Sequence, residues 1–276
     1  TLELDVGSVI LCPGNAVFDP GKLEEFYHYK SHPNVVTSLE FERFLSASGP
    51  TMGHLVRPSD HKEPRKIAWL QCVGSRDTNR CGNGYCSSMC CMYAIKEARV
   101  ALEHAGGDLD CAIFNMDIRT FGKDFEQYYI RAQEDGVRFI KSRVHTIDPI
   151  PGSDELKLHF VTESGQMQEE TFDMVVLSVG IEASDSAVAM AQRLGVKLNK
   201  YNFSESDPFI PVGTSRPGIF ASGIFQAPKD IPSSVAEASA AACAAGKMLA
   251  QARNTRTRTL ELPAEKDVLN QEPRIG

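Results

Sequence analysis

Five of the chain's eight cysteines fall within "CVGSRDTNRCGNGYCSSMCC", residues 72–91: Cys72, Cys81, Cys86, Cys90 and Cys91. Thiolates at this density can bind zinc, build an iron–sulfur cluster, or exchange disulfides. The spacing of the outer four is C-x13-C-x3-C-C. It contains no CxxC knuckle of the kind that usually frames zinc, and it is not the C-x2-C-x2-C-x3-C-P run of bacterial ferredoxins. Two adjacent cysteines crowd the tetrahedron of a single ion and sit more easily around a wider cubane. The spacing therefore favours [4Fe–4S] over zinc. Cys81 stands in the loop between these residues, and its CxxxxC spacing to Cys86 leaves a catalytic dithiol open. Cys12, Cys111 and Cys243 each lie alone in apolar or Ala-rich sequence and read as packing residues.

Positioning such a cluster needs strands and helices around it. "GSVILCPGN" and "KIAWLQCVG" read as buried strands that end at glycine turns. "CCMYAIKEARVALEHAGG" reads as a helix, with Met92, Ile95, Ala98 and Leu102 on one face and Gly106 at its end. If that helix starts near Cys86, then Cys86 and Cys90 share a face, Cys91 follows about 100° round, and Cys72 arrives from the preceding strand. Four thiols would then meet at a helix N-terminus, whose partial positive charge favours thiolates. "LDCAIFNMDIRT" is a further strand, "KDFEQYYIRAQEDG" a helix and "VRFIKSRVHTI" a strand. A hairpin is expected around Ser164-Gly165 before the strand in "FDMVVLSVG". The last third gives a strand at residues 219–222, a turn at Gly223 and a long Ala-rich helix. Ser233 or Ser234 is expected to cap that helix, and Ala236, Ala240, Ala244 and Gly246 to form its close-packing face. Alternating strands and helices predict an α/β protein with a parallel sheet covered on both sides. "LDVGSVILCPG" and "FDMVVLSVG" resemble one another, which suggests two related βαβ domains.

Composition narrows the function. Hydrophobic residues make up 42% and charged residues 24%, as in globular proteins, and no apolar run is long enough to span a bilayer. The net charge of −7 argues against nucleic acid as a partner. No secretory leader is visible, so a cytoplasmic location is expected, where clustered cysteine more often means metal or redox chemistry than structural disulfides. The seven histidines are scattered, with His28, His32, His54 and His61 in polar sequence. No Ser-His-Asp or paired-carboxylate constellation stands out. The thiols occupy the turn where a nicotinamide-binding βαβ unit would cradle pyrophosphate, and no G-x-G-x-x-G occurs. NAD(P)H is therefore not expected to bind there.

Taken together, "CVGSRD", "YCSSMCCMYAIKEA", "GKDFEQYYIRAQEDGVRFIKSRV", "DMVVLSVG" and "GIFASGIFQAPKDIPSSVAEASAAA" resemble the A subunit of heterodisulfide reductase and its relatives in sulfate reducers. The likeness covers roughly residues 1–250. It implies a core like thioredoxin reductase: two Rossmann-type βαβ domains, with FAD in the first and a [4Fe–4S] cluster in the second. It implies an oxidoreductase subunit of anaerobic metabolism that relays electrons between the two cofactors, in some members by flavin-based electron bifurcation. The partners it implies are other subunits of the complex, ferredoxin, and hydrogenase or formate dehydrogenase modules; a homodimer is also compatible. By matching positions, the cluster ligands would be Cys72, Cys86, Cys90 and Cys91, with Cys81 left over. Lys96 would reach the flavin near N5. Cys12, Pro13, Gly14 and Asn15 would close over FAD. Gly223 and Ile224 would follow the later strand, without the acidic residue usual after that glycine. Lys229, Asp230, Ile231, Pro232 and Ser233 would bring a helix N-terminus to the flavin ring.

The resemblance divides the chain into an FAD-type part, 1–60 with 181–252, a second dinucleotide-type domain at 61–180 that carries the cysteines, and an extended tail at 253–276. The FAD part lacks the glycine-rich unit that holds pyrophosphate. A piece of a longer polypeptide, or a partner protein that supplies the missing unit, would account for this. Two other functions stay open on the residues alone: a zinc-stabilised docking scaffold, and a pyridine-nucleotide disulfide reductase using Cys81 and Cys86.

Overall fold

The computed structural model describes residues 3–106 and 108–252; the expected tail at 253–276 lies outside them. In chain order the elements are β1 (Val9–Leu11), β2 (Ala16–Val17), α1 (Glu24–Tyr27), β3 (Val35–Thr37), α2 (Ser38–Leu45), β4 (Lys66–Val73), α3 (Cys90–His104), β5 (Asp110–Asn115), α4 (Phe125–Glu134), β6 (Arg138–Lys141), β7 (Ile147–Pro149), β8 (Leu156–Val161), β9 (Met167–Phe172), β10 (Met174–Val179), β11 (Ile181–Glu182), α5 (Asp185–Leu194), β12 (Ile219–Ala221) and α6 (Ile231–Met248).

Five strands form the main sheet in the order β3-β10-β4-β5-β6, every neighbouring pair parallel. β10 is buried along its whole length and β4 at all but its first residue, as their unbroken apolar sequences require when both faces are covered. On one face lie the helices, joined to the sheet through Phe41, Trp69, Ile95, Ala98 and Ile113. On the other face the cover is not helical. The antiparallel sheet β7-β8-β9 packs Leu158, Phe160 and Phe172 onto Leu70 and Phe114. The expected hairpin forms there, with Val161 opposite Met167 and Gly165 at φ 81°.

Several expectations shift. "VRFIKSRVHTI" is two strands, because β6 pairs with β5 in the main sheet whereas β7 pairs with β8 in the small one. β3 and α2 fall in the segment assigned to the FAD-type part, yet Val35–Thr37 hydrogen-bond beside β10 in the main sheet. α2 is locked there by a capping box between Thr37 and Glu40. α3 begins at Cys90, four residues later than the geometry sketched from sequence. α6 is capped by Asp230, whose carboxylate accepts from Ser233 N at 2.8 Å, so neither serine is the cap. Its packed face is Ala241 and Ala245, whereas Ala236 and Ala240 are exposed.

The remaining strands form two pairs. β1 lies parallel to β12, and β2 antiparallel to β11. α6 packs on β1 and β12, where Ala241 and Ala245 meet Val212 and Phe220.

Candidate functional site

The site is built at the carboxyl end of β4. Leu70 pairs with Leu177 and Val73 with Val179, so β4 carries one residue more than β10 across this stretch. The extra residue makes a bulge, and within it Cys72 is left-handed at φ 64°. A bulge re-aims the side chain it carries, and a non-glycine residue held left-handed stores strain that points to a function. Arg76 (φ 53°) and Ser88 (φ 64°) share this backbone state within the same turn. Gly74 follows at φ 78°, and a side chain there would run into the Phe18 ring.

The turn from Gly74 to Met89 folds on itself before α3. Arg76 N donates to Tyr85 O at 2.9 Å, and Asp77 and Asn83 bridge in antiparallel fashion. Cys81 lies at the far end of this small hairpin and Cys86 beyond its base. The groups acting on Cys81 are Asp77, Arg143, Glu182 and Arg80, after burial, which raises its pKa. A Cys81–Cys86 catalytic pair gains no support from this arrangement. Two bonds tie the returning strand to the start of β11: Tyr85 Oη donates to Ile181 O at 2.7 Å, and Ser87 Oγ accepts from Ile181 N at 2.9 Å.

The other four thiols lie at the end of β4 and at or just before the start of α3. Cys72, Cys90 and Cys91 are buried and Cys86 half-buried. Burial raises all three buried thiols, Cys90 to about 12 and Cys91 to about 11, and each of the three is also raised by the charge of Cys86. Cys90 and Cys91 both feel Cys72. Cys90 Sγ donates to Val179 O at 3.8 Å, Cys91 Sγ to Asp117 O at 3.9 Å, and Cys86 Sγ accepts from Ser88 N at 3.3 Å. All eight cysteines are free. Among the described residues no three His, Cys, Asp or Glu side chains converge on one metal ion. A cubane places each thiolate on its own iron, so its ligands stand further apart than those of a single ion. Of the expected donors, buried Cys90 and Cys91 open α3, Cys72 is buried and Cys86 half-buried, and thiolates are the donors such a cluster takes. The N-terminus of α3 adds to it. Met89 occupies the cap position and no side chain caps the helix; Met92 N donates to Met89 O at 3.0 Å, which leaves the N–H groups of Cys90 and Cys91 without a capping side chain.

A cavity of about 350 Å³ opens beside the thiol helix. Ser88, Met89 and Met92 line one side, and Lys229, Asp230 and Ile231 the other. Pro232 and Ser233 also border it, so all five loop residues expected at the flavin ring face one hollow. Lys96 does not line it. It borders a neighbouring hollow of about 440 Å³ with Met92 and Phe125, and its ammonium pairs with Glu42 of α2. Gly223 and Ile224 follow β12, and Cys12, Pro13, Gly14 and Asn15 follow β1 on the adjacent parallel strand. Gly14 and Gly223 are both left-handed, at φ 76° and 72°. A larger hollow of about 930 Å³ lies outside α2, near Tyr29, Leu39 and Arg43, and none of the thiols lines it.

Sequence reasoning missed three residues here. Glu237 of α6 accepts from Gly223 N at 3.0 Å and pairs with Lys229, joining the turn to the helix. Glu42 is invisible as the partner of Lys96, since 54 residues separate them. Arg76 stood in the quoted "CVGSRD" without a role.

Residues 3–244 match the profile of the pyridine nucleotide-disulphide oxidoreductases. The chain belongs to that family. It is 45% identical over 253 residues to the second iron–sulfur A subunit of the CoB–CoM heterodisulfide reductase of Methanopyrus kandleri, covering 90% of this chain and 38% of that relative. It is 42% identical over 254 residues to the A subunit of the H2/formate:CoB–CoM heterodisulfide,ferredoxin reductase of Methanococcus maripaludis, covering 91% of this chain and 38% of that protein. The chain thus spans 38% of the length of these relatives. The resemblance read from its motifs holds. Among solved structures, the thioredoxin reductase of T. acidophilum superposes with a TM-score of 0.53 at 16% identity, over 87% of this chain and 65% of that one. The thioredoxin reductase of Lactococcus lactis gives 0.52 at 18% identity, over 88% and 66%. These two carry the fold alone, and it is the α/β, thioredoxin-reductase-like fold expected. No helix among the described residues is long and apolar enough to cross a membrane.

Proposed function

We propose that this chain is the redox core of the A subunit of a heterodisulfide-reductase-type complex, relaying electrons between FAD and a [4Fe–4S] cluster. The observation that carries the reading is the placing of buried Cys90 and Cys91 in the first turn of α3 and of buried Cys72 at the bulged end of β4, beside the cavity that Met89, Met92 and the Lys229–Ser233 loop line. The names of the relatives support it, since the Methanopyrus protein is called an iron–sulfur subunit. When bound, the cluster would pass electrons singly and the flavin singly or in pairs.

The chain's own residues would do the rest. The four cysteines would hold the irons, and the α3 N–H groups would stabilise the anionic sulfurs. Met89 and Met92 would pack on the flavin ring and keep water from it. The N-terminus of α6 would point its positive end at that ring, with Lys229 fixed by Glu237 and Gln226. Lys96, paired to Glu42, would sit within one helical turn of Met92. Gly14 and Gly223 would let the backbone approach the cofactor closely. NAD(P)H would not bind above β4, where the turn from Gly74 to Met89 carries thiols in place of a glycine-rich diphosphate cradle. Its partners would be other subunits of such a complex, with ferredoxin and hydrogenase or formate dehydrogenase modules as electron donors and acceptors, in a reducing, cytoplasmic setting where thiols stay out of disulfides.

Anaerobic purification with iron, flavin and zinc quantified, together with visible and EPR spectra, tests the reading. Expected are about four irons per chain and visible absorbance that bleaches on reduction. A colourless protein with about one zinc per chain would replace it with the docking scaffold. Titratable thiols without metal would favour the disulfide reductase. Calorimetry with NADH is expected to show negligible binding, and micromolar affinity would overturn the claim that the cluster stands in for a diphosphate.

A further inference from the structure

Two hollows share a wall at the start of α4. The stretch from Phe121 to Phe125 runs across both: Phe121, Gly122 and Phe125 border the cavity of about 350 Å³, and Lys123, Asp124 and Phe125 the hollow of about 440 Å³. Met92 completes the partition. The Phe125 ring lies against Gly122, where any side chain would collide with it. Large apolar side chains stand in solvent at the first cavity: Phe121 is 76% exposed and Ile231, from the opposite wall, 79%. A single exposed apolar residue is ordinary, but two from separate elements at one opening mark a contact surface. Three cations border the second hollow, Lys96, Lys123 and Arg131, against one carboxylate, Asp124. Lys96 is shared with Glu42, whereas among the described residues Lys123 and Arg131 enter no ion pair. The chain carries 36 acidic and 29 basic side chains, so this basic hollow runs against its overall charge.

We propose that the corner from Phe121 to Phe125 is the docking face for an acidic one-electron carrier protein, which seats an apolar patch on Phe121 and Ile231 and its carboxylates on Lys123 and Arg131. Its redox purpose rests on the flavin reading given above, since the cavity it covers is the one that the Lys229–Ser233 loop lines. Charge complementarity chooses this occupant. A chain of net charge −7 repels an acidic protein as a whole, so attraction has to come from a local cluster such as this one. A nucleic acid would need a longer basic stripe, and a small anion would leave Phe121 and Ile231 uncovered. No group leaves either protein: the carrier loses one electron and the cofactor behind the face gains it. Contacts between electron carriers are small, and complementary charge sets how fast they form.

The test is calorimetry of the full chain, purified without oxygen, against an acidic [2Fe–2S] ferredoxin, with flavin quantified in the same preparation. Binding is expected at low salt, and is expected to weaken about tenfold at about 0.5 M salt, where exposed charges are screened. Lys123→Glu combined with Arg131→Glu is expected to weaken it about tenfold at low salt. Phe121→Ser is expected to weaken it at both salt concentrations, because an apolar contact is not screened. Lys30→Glu combined with Arg43→Glu changes the net charge equally at the hollow outside α2, and is expected to have a much smaller effect. All five side chains are exposed, so the variants keep the fold. Absence of binding at low salt, or equal losses from the two pairs of reversals, would overturn the proposal. Flavin content separates the two readings. A flavin-bearing chain that ignores the ferredoxin overturns the docking face alone. A flavin-free chain that binds it through Lys123 and Arg131 supports the face and overturns the flavin reading, and a chain that binds neither overturns both.

Discussion

Two strand–turn–helix units face the same cavity and are built differently. β4 lies in the five-stranded sheet, covered on both faces, and its helix α3 buries Ala94, Ile95, Ala98 and Ala101 completely. β12 lies in a two-stranded sheet, and its helix α6 buries Ala241 and Ala245 while leaving Ile231 and Val235 exposed. The helix starts differ too. Asp230 caps α6 with its own carboxylate, whereas no side chain caps α3, which carries paired cysteines in its first turn. On the proposed reading, the same unit would serve inorganic sulfur on one side and a flat ring on the other. One side owns its core, and the other is an open half-layer.

Breaking the α3 side at its chemistry gives the largest expected effect. Cys90→Ala or Cys91→Ala is expected to abolish iron retention, while Cys12→Ala and Cys243→Ala leave it intact. Iron per chain after anaerobic purification reads this, and wild-type iron in Cys90→Ala would defeat the ligand assignment.

The packing contrast comes next. Phe41 is fully buried, with its ring edge-on to Trp69 at 5.3 Å and 87°. Phe41→Ala is expected to cost about 3–5 kcal/mol in urea unfolding of the same preparation. Val235 on α6 is 60% exposed, and Val235→Ala is expected to stay within about 0.5 kcal/mol. Similar losses at the two positions would erase the distinction between a closed core and an open layer.

The most specific effect concerns Glu97, on the buried face of α3. Burial pushes its carboxyl from 4.5 up to about 8, against the hydrogen bond that Trp69 Nε1 donates to Oε2 at 3.0 Å. Between these values the folded state keeps a proton that the unfolded state has released. Stability therefore falls as pH rises through this window, by up to about 1.4 kcal/mol per unit, and levels off above it. Glu97→Gln is expected to flatten that slope, which unfolding at pH 5 and pH 8 would show. Parallel profiles for the two proteins would mean that Glu97 stays ionised in the fold.

Much of this was legible in the chain. Apolar periodicity placed α3, α4 and the β8–β9 hairpin, because burial on one face writes a period into the sequence. Glycines marked the turns at Gly14, Gly74 and Gly223. The split of "VRFIKSRVHTI" was hidden, since both of its halves are strand-like and only their partners differ. The membership of β3 was hidden for the same reason. Its neighbour β10 lies about 140 residues away, and a short apolar run does not name a partner. The cap of α6 was misplaced by a few residues because Asp230, Ser233 and Ser234 can all fill that role.

By itself the sequence determined which chemistry is available: thiols in number for metal or redox chemistry, and motifs specific enough to name the family. It also determined which stretches become strands and helices, because those depend on neighbours a few residues apart. Only the tertiary structure decided how the chemistry is arranged. It made the bulge that holds Cys72 left-handed, set Arg76 against Asp117, and paired Lys96 with Glu42. Each of these depends on contacts between residues far apart in the chain, and a linear pattern carries no record of which distant charge or strand will arrive.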